Sequence, residues 1–154
     1  MFENDKLPFI NITDFSLLNP TELKSINNLI NINKIDISNK IGVLVNYNNI
    51  DIGFVLVDVN EDKECCISIY RYPRVCRLSI ISLIEATVVF IKELNLKDIK
   101  VYKFVDTYLY SFKLKIIFKE YKELNSDLIE INPNILHSLN IKQITTKNIN
   151  INLK

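Results

Sequence analysis

Three arginines, Arg71, Arg74 and Arg77, stand close together in the chain, with Tyr70 and Tyr72 flanking the first of them. Guanidinium groups form paired hydrogen bonds with phosphate oxygens. The cluster also precedes a long apolar run that reads as a helix, and the free amide groups at a helix start favour an anion. The chemistry suggested is local binding of a phosphate-bearing ligand, weighed against ordinary solvated loop charges. Cys65, Cys66, Cys76 and His137 raise the question of a metal. Adjacent strand residues point to opposite faces, however, so the cysteine pair cannot readily chelate one ion, and no metal is expected. The cysteines are an odd set without framework spacing and read as reduced, buried thiols with no disulfide. His137, the only histidine, has no nucleophile motif beside it and reads as a surface residue. Tyr102, Tyr108, Tyr110 and Tyr121 either line a substrate pocket or complete a core with their hydroxyls turned to water.

Size and charge narrow the function classes. The 154 residues are 48% hydrophobic and 24% charged, enough for a single globular domain over residues 1–154 with a sizeable core. A net charge of +1 gives no general attraction to nucleic acid or to an anionic membrane. Arginine and tyrosine can grip phosphate and stack on bases, but without an extended basic footprint a nucleic-acid partner is not expected. No apolar run reaches the length of about 18 residues that suggests a membrane span. Met1 to Lys6 lacks the basic-then-apolar order of a secretory leader, so the expected location is cytoplasmic. The abundance of Ile, Asn and Lys reads as coding bias and carries no functional weight.

The positioning elements follow from periodicity. Pro8 to Ile12 reads as a strand, and Pro20-Thr21-Glu22 opens a helix to about Ile30. Ile41–Tyr47 and Ile50–Val59 read as strands joined by an Asn48-Asn49 turn, with Glu64–Tyr72 completing an antiparallel meander. Leu78 to Leu94 is apolar over more than half its circumference, the pattern of a helix buried between layers. Asp98–Phe104 reads as a strand, and a helical crossover of this length implies that it lies parallel to Glu64–Tyr72. Asp106–Ile117 then reads as a helix and Phe118–Leu124 as a strand. Ile129–Ile131 and Ile149–Leu153 are strand candidates around the Asn132-Pro133-Asn134 break. The fold class is α/β (α+β): a mixed, mostly antiparallel central sheet with a parallel β-α-β core and flanking helices.

That order, with Cys66-Ile-Ser-Ile-Tyr-Arg-Tyr-Pro73, Lys100-Val-Tyr-Lys-Phe-Val105 and Lys113-Leu-Lys-Ile-Ile-Phe-Lys-Glu120, resembles the GNAT superfamily of acyl-CoA-dependent N-acyltransferases over nearly the whole chain. The resemblance implies acetyl-CoA, or another acyl-CoA, as cosubstrate and a primary amine of a small molecule or protein as acceptor. In that family the fourth and fifth strands splay apart, and a glycine-rich turn brings the pyrophosphate to the next helix. The matching positions are Ile69, Tyr70, Arg71, Arg74, Arg77, Leu78, Ser79 and Asp106, with Arg77, Ser79 and Ile81 standing where the family often carries glycine or another small residue. The carboxylate that often acts as base on the fourth strand falls near Cys66, and Glu64, on the same strand face, is the substitute. The thiolate-protonating tyrosine of many members corresponds to Lys113, with Tyr110 nearby. The alternative is a catalytically inactive domain on the same scaffold, serving protein interaction or homodimerisation, with the Ile149–Leu153 tail as a pairing edge.

Overall fold

The computed structural model describes residues 9–38, 40–72, 77–106, 118, 120–125, 128–139 and 145–150. They build one eight-stranded sheet in the order β6-β7-β5-β4-β3-β2-β1-β8. The strands are β1 (Phe9–Asp14), β2 (Ile41–Tyr47), β3 (Ile50–Val59), β4 (Glu64–Arg71), β5 (Val101–Asp106), β6 (Lys122–Asn125), β7 (Leu128–Ile131) and β8 (Thr145–Asn150). The helices are α1 (Pro20–Asn33), α2 (Arg77–Leu94) and α3 (Pro133–Ser138).

Local chemistry accounts for the bounds of α1 and of the β2–β3 hairpin. Asn19 caps α1 by accepting from the Glu22 amide at 2.9 Å, while the Glu22 carboxylate accepts from the Asn19 amide at 3.2 Å, a reciprocal box with Pro20 at the first helical position. The helix runs past Ile30 to Asn33 and ends on Lys34 in the left-handed region, φ 53°. Asn48 and Asn49 also take positive φ, 49° and 68°, as the tight β2–β3 hairpin requires. Ile52 to Val57 of β3 are all buried, as suits a central strand covered on both faces. On β4, buried Cys65, Ile67 and Ile69 alternate with half-buried Glu64, Cys66, Ser68 and Tyr70.

The expected parallel core is present. β4 and β5 run parallel from Glu64↔Val101 to Ile69↔Asp106, and α2 makes the crossover. Leu83, Ile84, Ala86, Val88, Phe90 and Ile91 are buried on α2, in one cluster with Val55, Ile67, Tyr102 and Phe104 of the sheet. A smaller cluster of Leu18, Ile26 and Leu44, with Phe15, Leu23, Ile30 and Tyr72 against it, packs α1 onto the sheet's other face.

Three sequence expectations are adjusted at the sheet margins. The strand expected at Phe118–Leu124 is reduced to Lys122–Asn125, because Phe118 is an anchor: it is buried against Phe104 at a ring separation of 5.3 Å. The Asn132-Pro133-Asn134 break opens α3, with Asn132 accepting from the Asn134 amide as its cap. The last strand starts earlier than expected: among the described residues it covers Thr145–Asn150 and pairs parallel with β1. The helix expected at Asp106–Ile117 falls, after Asp106, outside the described residues, and Asp106 itself closes β5.

The two glycines answer close approach and not turn geometry, since neither has a positive φ. A Cβ at Gly53 would overlap the Tyr70 backbone carbonyl oxygen and stand 2.8 Å from a Leu83 methyl. At Gly42 the three nearest atoms all belong to the Phe15 ring. Gly53 therefore lets the end of β4 and the second turn of α2 close on the sheet together. Gly53→Ala is expected to destabilise the protein by about 1–3 kcal/mol in urea unfolding. Gly42→Ala should cost less, because a side chain yields more easily than backbone, and equal or reversed costs would contradict this packing.

Candidate functional site

β4 ends at Arg71 and α2 starts at Arg77, at the edge where the parallel pair presents its C-terminal ends. The register with β5 closes at Ile69↔Asp106, while that with β3 continues through Phe54↔Tyr70 to Gly53↔Arg71. Ile69 is buried toward α2, and Tyr70, on the opposite face, stacks on Phe54 at 4.9 Å between ring centroids. Arg77, Leu78 and Ser79 form the first turn of α2. Ile69, Tyr70, Arg71, Arg77, Leu78, Ser79 and Asp106 thus belong to elements that converge on one edge. A helix start with arginines on both sides of the preceding connection suits an anion held by backbone amides and charge. Arg74, Tyr110 and Lys113 lie outside the described residues.

On the α1 face of the same edge is a group that sequence reasoning missed. The Tyr72 amide donates to Ile52 O at 2.9 Å, fixing the residue beyond the end of β4. Its hydroxyl is buried without a hydrogen-bond partner among the described residues, as is the Asn46 side-chain carbonyl. Burial, then the nearby carboxylates of Asp51 and Glu22, push the Tyr72 phenol well above its usual range. Asn46 donates its side-chain amide to Asp51 at 3.1 Å across the hairpin. The sequence signals were that Tyr72 stands in the arginine cluster and that Asn46 and Asp51 flank the hairpin; their meeting with Glu22 depends on tertiary packing.

Glu64 is not brought to this edge. It starts β4, about 16 Å along the strand from Ile69 at the usual rise per residue. Its carboxylate accepts from the Asn60 side-chain amide at 2.9 Å and pairs with Lys103 Nζ at 2.9 Å. The Asn60 hydrogen bond, then the Lys103 ammonium, hold its carboxyl below the usual carboxylate range, the reverse of what a general base needs. Cys65 and Cys66 point to opposite faces, and burial pushes the Cys65 thiol up to about 12. Tyr102 belongs to the core, with its hydroxyl 3.0 Å from Nε2 of exposed His137 on α3. Tyr121 is exposed beside a cavity of about 250 Å³ lined by Lys100, Val101, Glu120, Lys122 and Glu130. That cavity sits at the other end of β5, away from the start of α2.

No protein-family model and no curated protein matches the sequence. Solved structures do match. Campylobacter jejuni N-acetyltransferase PseH in complex with acetyl coenzyme A has a TM-score of 0.54 at 16% identity, covering 80% of this chain and 99% of that one. YhhK from E. coli bound to coenzyme A has a TM-score of 0.52 at 11% identity, covering 80% and 98%. Escherichia coli ElaA gives 0.52 at 13%, covering 79% and 95%. The chain has the GNAT fold. At these identities the likeness speaks for backbone architecture, and the roles of individual side chains rest on their own geometry. Within the GNAT fold the parallel β4–β5 pair and the start of α2 stand where the sequence resemblance required them. Among the described residues no helix is long and apolar enough to cross a membrane.

The Glu64 contacts make a pH prediction. Its folded-state pKa is depressed below the ordinary 4.5, so its contribution to stability is present above that pH and is lost as pH falls through the lower folded value. Glu64→Gln should therefore lose part of the stability near neutrality and show a shallower decline on acidification. Urea midpoints measured between neutral and strongly acid pH test this; parallel curves for the two proteins would show that the ion pair carries no such linkage.

Proposed function

We propose that this protein is a GNAT-family acyl-CoA-dependent N-acyltransferase that binds its cosubstrate at the β4–α2 edge and acylates a primary amine. The observation that carries the proposal is the parallel β4–α2–β5 unit with arginines at both ends of the β4–α2 connection. It is the scaffold shared with PseH, whose structure holds acetyl coenzyme A. The residues assigned to the cosubstrate are Arg71, Arg74, Arg77, Leu78 and Ser79 for the phosphates, and Ile69, Tyr70 and Asp106 beside the acyl-bearing arm.

The bond changes are those of direct transfer. The amine nitrogen attacks the thioester carbonyl carbon, a C–N bond forms, and the carbonyl electron pair moves onto oxygen. Collapse of that tetrahedral species breaks the C–S bond and releases the thiolate, while the new ammonium loses a proton. Much of the rate comes from holding amine and thioester in line. A backbone amide of β4 near Ile69 or Tyr70 would offset the charge on oxygen. Tyr110 and Lys113 are assigned as candidate donors of the proton that the thiolate takes up. Glu64, engaged by Lys103 and Asn60, is left out of proton transfer. The acceptor would enter from the α1 face, where Asp51 and Glu22 near Tyr72 favour a cationic amine.

Acetyl-CoA titrated into the protein should release measurable heat and raise the unfolding temperature. Arg77→Glu should weaken binding about tenfold, corresponding to about 1.4 kcal/mol, from loss of a charged contact and reversal of sign at the helix start. Neither heat nor thermal shift at millimolar acetyl-CoA would remove the proposal.

A further inference from the structure

Across half of the sheet, the face turned away from α2 carries a row of alternating charge. Glu64 on β4, Lys103 on β5 and Glu130 on β7 share this face because their strand neighbours Cys65, Tyr102 and Ile129 are buried on the other. Lys122 on β6 joins them through its register with Glu130, and Lys103 lies directly opposite Glu130. Glu64 reaches Lys103 diagonally at 2.9 Å. Solvent reaches the row: the Lys103 and Glu64 side chains are 20% and 29% exposed, and Lys122 is exposed. Around it lie half-buried Cys66, Val101, Val105 and Leu128. The α1 packing on this face centres elsewhere, on Leu44, Phe15 and Tyr72.

The order is negative, positive, negative, positive, and read from the other end it is the opposite. A row of this kind is complementary to itself under a two-fold axis that lies in the interface, runs along the strands and passes between Lys103 and Glu130. That operation sets Lys103 against Glu130 of a second copy and Glu64 diagonally across from Lys122, two residues along the strand, each contact occurring twice. It also keeps the two sets of strands nearly aligned, the usual way in which two sheets pack face to face.

We infer that this face docks a second copy of the chain, forming a two-fold dimer through β4, β5, β7 and β6. Charge fixes the orientation and excludes the other two-fold docking, in which like charges would face each other, while the valines and Leu128 supply apolar contact. The surface is distinct from the Ile149–Leu153 tail suggested as a pairing edge by sequence, and the inference does not depend on acyl transfer.

The test is sedimentation velocity of the full chain from micromolar to near-millimolar concentration. The wild type should dimerise, and raising salt from about 0.05 to 0.5 M should weaken the dimer as screening shortens. Glu64→Lys alone and Lys122→Glu alone each put like charges together twice per dimer, and each should weaken self-association at least about tenfold. An equimolar mixture of the two variants restores opposite charges at every outer contact and should dimerise again, to within about threefold of wild type. Circular dichroism checks that each variant is folded, and the salt series on wild type stands if one is not. A wild type that stays monomeric throughout, a dimer indifferent to salt, single variants that dimerise like wild type, or a mixture that stays monomeric would each overturn the inference.

Discussion

The arrangement depends on one constraint: β4 and β5 run side by side in the same direction. Parallel neighbours cannot be joined by a tight turn, so the chain must cross one face of the sheet between them, and α2 does so as an apolar helix. The crossover buries Leu83, Ile84, Val88, Phe90 and Ile91 against the strands, and removing a side chain such as Phe90 would cost about 3–5 kcal/mol. The chain leaves β4 at its C-terminal edge, so α2 begins there and carries the chain back to the opposite edge, where β5 starts. Packing and the candidate site are therefore two results of one topological requirement, and Gly53 allows both by admitting the Tyr70 carbonyl and Leu83 at close range.

The two faces of β4 divide the labour. Cys65, Ile67 and Ile69 point into the α2 core and hold the strand in place, while Glu64, Cys66, Ser68 and Tyr70 look the other way. Along that second face the environment changes from charge to aromatic rings. At the start of β4, Asn60 and Lys103 engage Glu64 in a solvated network. At the end, Tyr70 stacks on Phe54, and Phe54 meets Tyr72 edge-on at 6.5 Å. A drier edge of this kind strengthens electrostatic effects on a reacting amine, and the wet end does not.

Much of the core was legible in the sequence, and the reasons are physical. Leu78 to Leu94 is long and apolar on most sides, which admits only a buried helix, and its position between two β-rich runs implies parallel pairing. Asn48-Asn49 marked the hairpin because asparagine tolerates positive φ, and both residues adopt it. The sheet margins were harder to read. Lys122–Asn125 and Thr145–Asn150 are polar edge strands without clear alternation, so periodicity could not set their ends. Phe118 looked like the first residue of a strand but serves as a plug on Phe104. The Glu64–Lys103 pair was invisible because it depends on a diagonal across strands far apart in sequence. Tyr72 and Asn46 were equally hidden, since polarity along the chain does not reveal which polar atoms packing will bury.

We propose that acyl-CoA binds at the β4–α2 edge, with its helix start and arginines. Hydrogen–deuterium exchange with and without acetyl-CoA, resolved to short peptides, tests it most directly. Binding there slows exchange at the end of β4 around Ile69 to Arg71 and in the first turn of α2 after Arg77. Protection confined to the cavity beside Lys100 and Lys122, or spread evenly over the sheet, would contradict it.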